Sequence, residues 1–315
     1  MEKDKSSGYR KLLVISLFKN SGLWINDVIS CIDNLINYND SLSDDNKLLI
    51  KLAFLKSTFN SDNTNDILNN YIKLSKLDIW HHEFDVESNT MTRYEKLAFL
   101  RNYLIENSTK NTKLNYNDLI LFMDSDVKFD ENVIHELIID MNKSGADVIA
   151  PLVCIENYGA FKNNYFYDTL AFINKDNENF SHFKPYIFGD INKSKIKEQN
   201  KETEKLLEKI RDLNKLRIIN WEFNKNAPLD NTFPENLYRK VHSLIDLNIP
   251  LQVNSVGAFY IMKYGVVKAI KYTGEKTSEQ VEFMNTARSR HYKIFISQRL
   301  KVLHVNLEKY GLKWH

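Results

Sequence analysis

Two cysteines are all that this chain of 315 residues contains. Cys31 and Cys154 lie far apart, each among apolar neighbours, and buried reduced thiols suit them better than a disulfide. Long apolar runs are absent as well. The chain opens on charged residues, Glu2, Lys3, Asp4 and Lys5, and no later run reaches the length that crosses a bilayer. Together these absences predict a soluble, cytoplasmic protein without a membrane span, in a reducing compartment. An excess of one charge is missing too, because 43 basic and 41 acidic side chains leave a formal net charge of +2. That balance gives nucleic acid or an anionic membrane no electrostatic attraction. No internal repeat is visible. What remains is ordinary globular composition, 43% hydrophobic and 27% charged, in a chain long enough to bury a sizeable core.

What is present is an alternation of patterns. Residues 12–18 form a short continuous apolar run, the mark of a buried parallel strand. Trp24, Val28, Ile32 and Leu35 then recur at helical spacing on one face. A second strand is expected at 49–55, followed by a polar stretch at 60–64 that caps a helix running to about Leu74. A third strand falls at 77–80. The helix from Arg93 to Glu106 turns Leu97, Leu100 and Leu104 inward, and the fourth strand occupies 118–123. A helix at 131–142 and a fifth strand at 146–153 complete the series. Such alternation with short connections predicts an α/β fold with a mostly parallel central sheet and helices on both faces. Ligands in these sheets bind beyond the carboxyl ends of the strands, here just after Phe18, Leu55, Met123 and Val153. Residues 190–215 break the pattern with a charged stretch that reads as a solvated helix with internal ion pairs. Apolar runs return at 253–262 and 293–305.

The most informative segment is 119–127, where an apolar strand delivers Asp124, Ser125 and Asp126 to the ligand end of the sheet. Alternate side chains of an extended segment share a side, so both acids can face one ion. A hard divalent cation prefers carboxylate oxygens, and transfer from a nucleotide sugar needs such an ion to neutralise the departing diphosphate. An EF-hand loop starting at Asp124 fails, since its turn glycine would be Phe129 and its bidentate glutamate His135. A phosphate-ester hydrolase with Asp124 as nucleophile needs a later acidic pair, and Asp190 has no second acid beside it. A solvated loop is the remaining alternative.

Five stretches, in order, resemble the fungal mannan-polymerase mannosyltransferases and the cryptococcal capsule-associated mannosyltransferases, both of the GT-A class. They are residues 49–57 with 61–64, residues 93–104, residues 119–127 with 146–153, residues 166–169, and the run from Val256 through Ser278, Glu279, Phe283 and Tyr292 to His304. A weaker likeness to the sugar-transferase-like domains of collagen lysyl hydroxylases covers 124–153. The resemblance spans most of the chain except roughly 174–250. It departs at the second strand, where the family carries an acid and this chain has Thr58, with Asp62 nearby as the offset counterpart. It implies a single Rossmann-like GT-A domain over 1–315, with a nucleotide-binding half at about 10–155. The acceptor half then occupies about 156–315, with a charged helical insertion at about 190–250 that covers the site or supports a homo-oligomer.

The implied activity is transfer of a hexose from a GDP- or UDP-linked sugar to a glycan or protein-linked acceptor, with Mn²⁺ or Mg²⁺. Asp126 is expected to coordinate the metal directly, and Asp124 to reach it through water or to hold the ribose. In similar GT-A enzymes a histidine near the chain end completes the metal shell, and His304 fits that place. The imidazole favours Mn²⁺. The resemblance makes Arg101 and Asn102 a donor-site element, with Arg93, Asp62 and Ser125 on the same side; a guanidinium suits diphosphate or can lock a carboxylate. Glu279 matches a family acid that deprotonates or orients the acceptor, with Glu282 as the neighbouring choice. Asp168, after Tyr167, is placed to hold sugar hydroxyls. Asn254 and Gly257 form, with Ser255, a small-residue turn that lets backbone approach the sugar. Tyr165 and Trp221 are candidate stacking surfaces. Besides glycosyl transfer, two other functions are carried forward: the hydrolase at Asp124 and a non-catalytic glycan-binding protein that keeps the fold.

Overall fold

The computed structural model describes residues 10–86, 90–110, 112–155, 171–174, 248–305 and 310. Tyr165, Tyr167, Asp168, Trp221 and nearly all of the charged insertion lie outside the described residues.

The first apolar run becomes β1 (Arg10–Phe18), and its core-facing stretch Leu12, Leu13, Val14 and Ile15 is fully buried. Burial of consecutive residues means that both faces are covered, as a continuous apolar pattern requires. β2 (Leu48–Lys56) and β4 (Leu119–Met123) pair with β1 in parallel on either side. β3 (Ile79–Glu83) extends the sheet beyond β2. It starts two residues later than its apolar residues predict and continues into His81, His82 and Glu83, because an edge strand tolerates polar side chains. Between the strands lie α1 (Ile25–Ser41), α2 (Thr64–Leu74) and α3 (Arg93–Thr109). A capping box starts α3, with Thr92 accepting from the Glu95 amide and Glu95 accepting from the Thr92 amide.

The second half threads back through the first. After the short β5 (Val127–Lys128) come α4 (Val133–Ser144) and β6 (Val148–Ile155), whose eight residues are all buried. β7 (Ile173–Asn174) and β8 (Leu251–Ser255) stand at the far side of the sheet. β9 (Phe259–Lys263) inserts antiparallel between β4 and β6. The apolar run 253–262 is therefore two strands, divided where Ala258 takes a left-handed φ of 53°. After α5 (Tyr264–Ala269) and α6 (Glu279–Ser289), β10 (Ile294–His304) runs parallel to β6. The sheet order is β3-β2-β1-β4-β9-β6-β10-β8-β7, with β5 pairing to β10. This is the expected mostly parallel, Rossmann-like GT-A sheet with one reversed strand in its middle.

β10 carries a register shift between Ser297 and Lys301. A buried brace holds it there: Asp140 of α4 accepts from Ser297 Oγ at 2.7 Å and from Arg299 Nε at 3.0 Å. Thus braced, the strand regains its register with β6 and ends on His304 at the carboxyl end of the parallel strands. Among the described residues no helix is long and apolar enough to cross a membrane.

Candidate active site

The loop after β4 is fixed at both ends before any side chain is considered. The Asp124 amide donates to the Ala258 carbonyl at 2.8 Å, and the Val305 amide donates to the Asp126 carbonyl at 2.8 Å. β5 then pairs antiparallel with the end of β10, setting Val127 opposite His304. As a result His304 Nε2 lies 3.1 Å from Asp126 Oδ2, while its Nδ1 donates to the Val305 carbonyl at 2.9 Å. Burial opposes a charged imidazole, yet the Asp126 carboxylate, the Val305 carbonyl and Asp124 outweigh it and hold His304 above its ordinary value. Burial likewise pushes Asp126 up, and His304, with help from Arg93, brings it below the usual carboxylate range.

One atom here asks for a ligand. Among the described residues Asp126 Oδ1 is buried without a hydrogen-bond partner, which is costly unless a further group satisfies it. A carboxylate beside an imidazole whose other nitrogen is tied to a carbonyl is a donor set that fits Mn²⁺. Among the described residues no group of three or more such side chains forms a closed metal cage. Asp126 and His304 therefore suit an ion that takes its remaining ligands from elsewhere.

Asp124 has one oxygen tied to a buried cation. Its Oδ1 accepts from Arg101 NH2 at 3.2 Å, and Arg101 Nε donates to Glu279 Oε1 at 3.1 Å. The guanidinium is buried and lies over the Phe122 ring, 4.3 Å from its centroid. Burial works against its charge, and the two carboxylates more than compensate, so Arg101 stays protonated. Burial also pushes Asp124 up; Arg101 pulls it back, and Asp126 and Glu279 push again. The result lies above the usual carboxylate range, moderated by solvent because 37% of the Asp124 side chain remains exposed. Glu279, the first residue of α6, keeps only 4% of its side-chain surface. It is not a solvated first-turn acid. Glu282 serves the backbone instead. Its carboxylate gathers the Thr273 hydroxyl and the amides of Glu275, Lys276 and Thr277, anchoring the loop that enters α6.

Asn102, which the resemblance makes a donor-site element, is engaged by backbone. Its Nδ2 donates to the Tyr272 carbonyl and its Oδ1 accepts from the Tyr272 amide, both at 2.9 Å, so both ends of its amide are taken by backbone. Asp62 is committed in a similar way. Its Oδ2 accepts from the Gly22 amide at 2.8 Å and its Oδ1 from the Thr64 amide at 3.0 Å. Burial pushes this carboxyl up, but these amides and the Thr64 hydroxyl bring it below its ordinary value. Asn20 with Asn60 and Ser61, and Ser21 with Thr64, complete the zip between the loops after β1 and β2. Ser21 Oγ meets Ser125 Oγ at 3.0 Å, and the Trp24 indole donates to the Ser125 carbonyl at 3.0 Å. Ser125 thus ties the Asp124–Asp126 loop to the first β-strand's loop.

Arg93 is exposed at the start of α3, near enough to Asp126 to help keep it ionised. Asn254 is buried in β8, and Gly257 lies in the turn whose next residue, Ala258, holds the Asp124 amide. Several neighbours carry no mark in the sequence pattern. Asp85, just beyond β3, accepts from the hydroxyl of Ser57 directly after β2, so an acid reaches that strand end from the next strand over. The parallel register that pairs Lys56 with Glu83 is the signal that leads to it. Tyr260 and Tyr272, whose hydroxyls are 2.7 Å apart, flank Arg101 and give no local sign.

A scan of protein-family models finds no match, and a search of curated proteins finds none either. Solved structures share the architecture. GalNAc-T7 with UDP, GalNAc and Mn²⁺ matches 96% of this chain and 44% of its own, at a TM-score of 0.51 and 11% identity. Residues 1–349 of S. aureus TarS match 95% of this chain and 62% of that one, at a TM-score of 0.46 and 13% identity. The same TarS region with UDP-GlcNAc covers 94% and 58%, at 0.45 and 12%. This chain spans less than two thirds of the length of each, and at 11% identity the likeness to GalNAc-T7 is one of fold.

Proposed function

We propose that this chain is a metal-dependent glycosyltransferase that moves a hexose from a GDP- or UDP-linked sugar to a glycan or protein-linked acceptor. The observation that carries the reading is the buried oxygen of Asp126, without a partner among the described residues, beside His304 at the carboxyl ends of the central strands. Ligands of open α/β sheets bind at that edge. The GalNAc-T7 structure holds UDP, GalNAc and Mn²⁺, and the proposal brings the same classes of ligand to this cleft.

Asp126 and His304 would hold the divalent ion. When bound, the ion would supply charge neutralisation for the departing diphosphate. Arg93, exposed on the rim and close to Asp126, presents a cation for the same phosphates. Asp124 keeps one oxygen on Arg101 and offers the rest of a partly exposed carboxylate to the donor. The zipped loops after β1 and β2 form the wall on the nucleotide side, joined to the metal loop through Ser125. Asp168 remains proposed for the sugar hydroxyls and Gly257 for close approach to the donor sugar.

The hydrolase alternative has less support, since it needs a later acidic pair and Asp190 has no second acid beside it. Thermal-shift screening of nucleotide sugars with Mn²⁺, followed by product analysis with the best donor, tests the proposal. Metal-dependent donor hydrolysis that disappears in Asp126→Ala is the expected result. Turnover of aryl phosphates without any effect of nucleotide sugars would favour the hydrolase, and glycan binding insensitive to Mn²⁺ and nucleotide would favour a non-catalytic protein.

A further inference from the structure

We propose that Arg101, Asn102 and Glu279 are positioning residues that lock the metal loop to the start of α6, and that Glu279 exchanges no proton with substrate. The inference rests on the glycosyl-transfer reading and reassigns the acid that the family resemblance would make catalytic.

Arg101 and Asn102 are consecutive on α3, so their side chains leave the helix about 100° apart and reach different neighbours. Arg101 spans the metal loop and α6, with NH2 on Asp124 Oδ1 at 3.2 Å and Nε on Glu279 Oε1 at 3.1 Å. Asn102 holds the Tyr272 backbone through its carbonyl and its amide. That grip sets the Tyr272 ring against Phe283, with centroids 4.2 Å apart and planes 16° from parallel. Phe283 follows Glu279 by one turn of α6, so the clamp on Tyr272 and the ion pair at Glu279 fix the same helix end. The third contact is backbone on backbone: a Cβ on Gly274 would meet the Tyr94 carbonyl carbon at 2.4 Å. The loop into α6 therefore lies directly on the first turn of α3.

Within this bracket Glu279 is badly placed for proton transfer. Only 4% of its side chain is exposed and its carboxylate is turned to Arg101, whereas a general base must come within hydrogen-bond reach of the acceptor hydroxyl. Its influence runs through Arg101 to Asp124, whose side chain is 37% exposed. No described protein group bonds the second oxygen of Asp124, and the bracket fixes how that oxygen meets the donor.

A double-mutant cycle between Glu279 and Asp124 separates the roles. Glu279→Ala, Asp124→Ala and the double variant are compared for Mn²⁺-dependent binding of UDP and GDP by calorimetry, and for transfer or donor hydrolysis. If Glu279 works through Asp124, the double variant loses no more than Asp124→Ala alone. Losses that multiply overturn the inference. Glu279→Gln keeps the shape and an acceptor for Arg101, which guards against misfolding of the alanine variant. It is expected to lose less than tenfold in kcat, whereas removing a general base costs about 10²–10⁴-fold; a loss in that range overturns the inference too. Wild-type protein that binds neither nucleotide with Mn²⁺ overturns the glycosyl-transfer reading and this inference with it, an outcome distinct from multiplying losses.

Discussion

His304 Nε2 and Asp126 Oδ2 lie 3.1 Å apart, brought together because the end of β10 pairs with β5 immediately after the Asp124–Asp126 loop. The backbone bond from the Val305 amide to the Asp126 carbonyl makes that approach a property of the fold rather than of two flexible side chains. If this pair holds the ion, His304→Ala and Asp126→Asn should each weaken Mn²⁺ binding by about 100-fold or more, since even outer-shell partners contribute 10–100-fold. Titration of Mn²⁺ by electron paramagnetic resonance reads this without turnover. Wild-type affinity in either variant would remove the pair from the metal site.

How much of the molecule is legible in its sequence depends on the range of the signal. β1, β2, β4 and β6 appear within two residues of their apolar runs, because strands buried on both faces leave a local mark. Asp124 and Asp126 follow from the same logic as the tip of one such strand. The reversed β9 in mid-sheet leaves no mark, since the run 253–262 carries no information about which strands it will join. Depth is equally hidden. Glu279 and Asn102 can be named as residues of interest, but only tertiary packing turns one toward Arg101 and the other onto the Tyr272 backbone. Asp85 reaches Ser57 across strands, a contact that only the sheet register creates.

Away from the site, His135 predicts how stability varies with pH. Its Nε2 contacts Asn39 Oδ1 at 3.3 Å, and Nδ1 is buried with no partner among the described residues. Burial holds this imidazole below its ordinary value, against the pull of Glu136. The unfolded chain, with a pKa of about 6.5, therefore binds the proton first as pH falls. Stability from this group is complete above about pH 7 and is lost as pH drops below 6.5 toward the lower folded value. Urea midpoints at several pH values should fall more steeply for wild type than for His135→Gln, which stays neutral throughout. Curves of identical slope would show that the buried nitrogen tolerates a proton.

Gly274 tests the packing of the α6 loop on α3. An added methyl would meet Tyr94 carbonyl carbon and oxygen at 2.4 and 2.5 Å and the Glu95 amide nitrogen at 2.7 Å. These are backbone atoms in the first turn of a capped helix, so they cannot swing aside as a side chain can. Gly274→Ala should destabilise the protein by about 1–3 kcal/mol, the usual cost of overpacking, measured from urea unfolding. An unchanged midpoint would mean that the loop does not rest on the helix as described.

Ala258 makes the opposite kind of prediction. Its φ of 53° puts a side chain in the left-handed region, where a non-glycine residue costs roughly 1–2 kcal/mol. The position is 4% exposed, and its carbonyl holds the Asp124 amide at 2.8 Å. The strained turn is therefore coupled to the direction in which the Asp124–Asp126 loop leaves β4. Glycine relieves the strain but adds freedom to the unfolded chain, worth about 0.5–1 kcal/mol in the other direction. Ala258→Gly should accordingly leave the urea midpoint level or slightly raised, with Mn²⁺ affinity unchanged. Valine adds a branched side chain that the left-handed region resists most. Ala258→Val should lose about 1–3 kcal/mol and weaken Mn²⁺ binding as the loop shifts. The contrast between the two variants is the test, because a side chain that mattered only for filling space would make glycine the more damaging change.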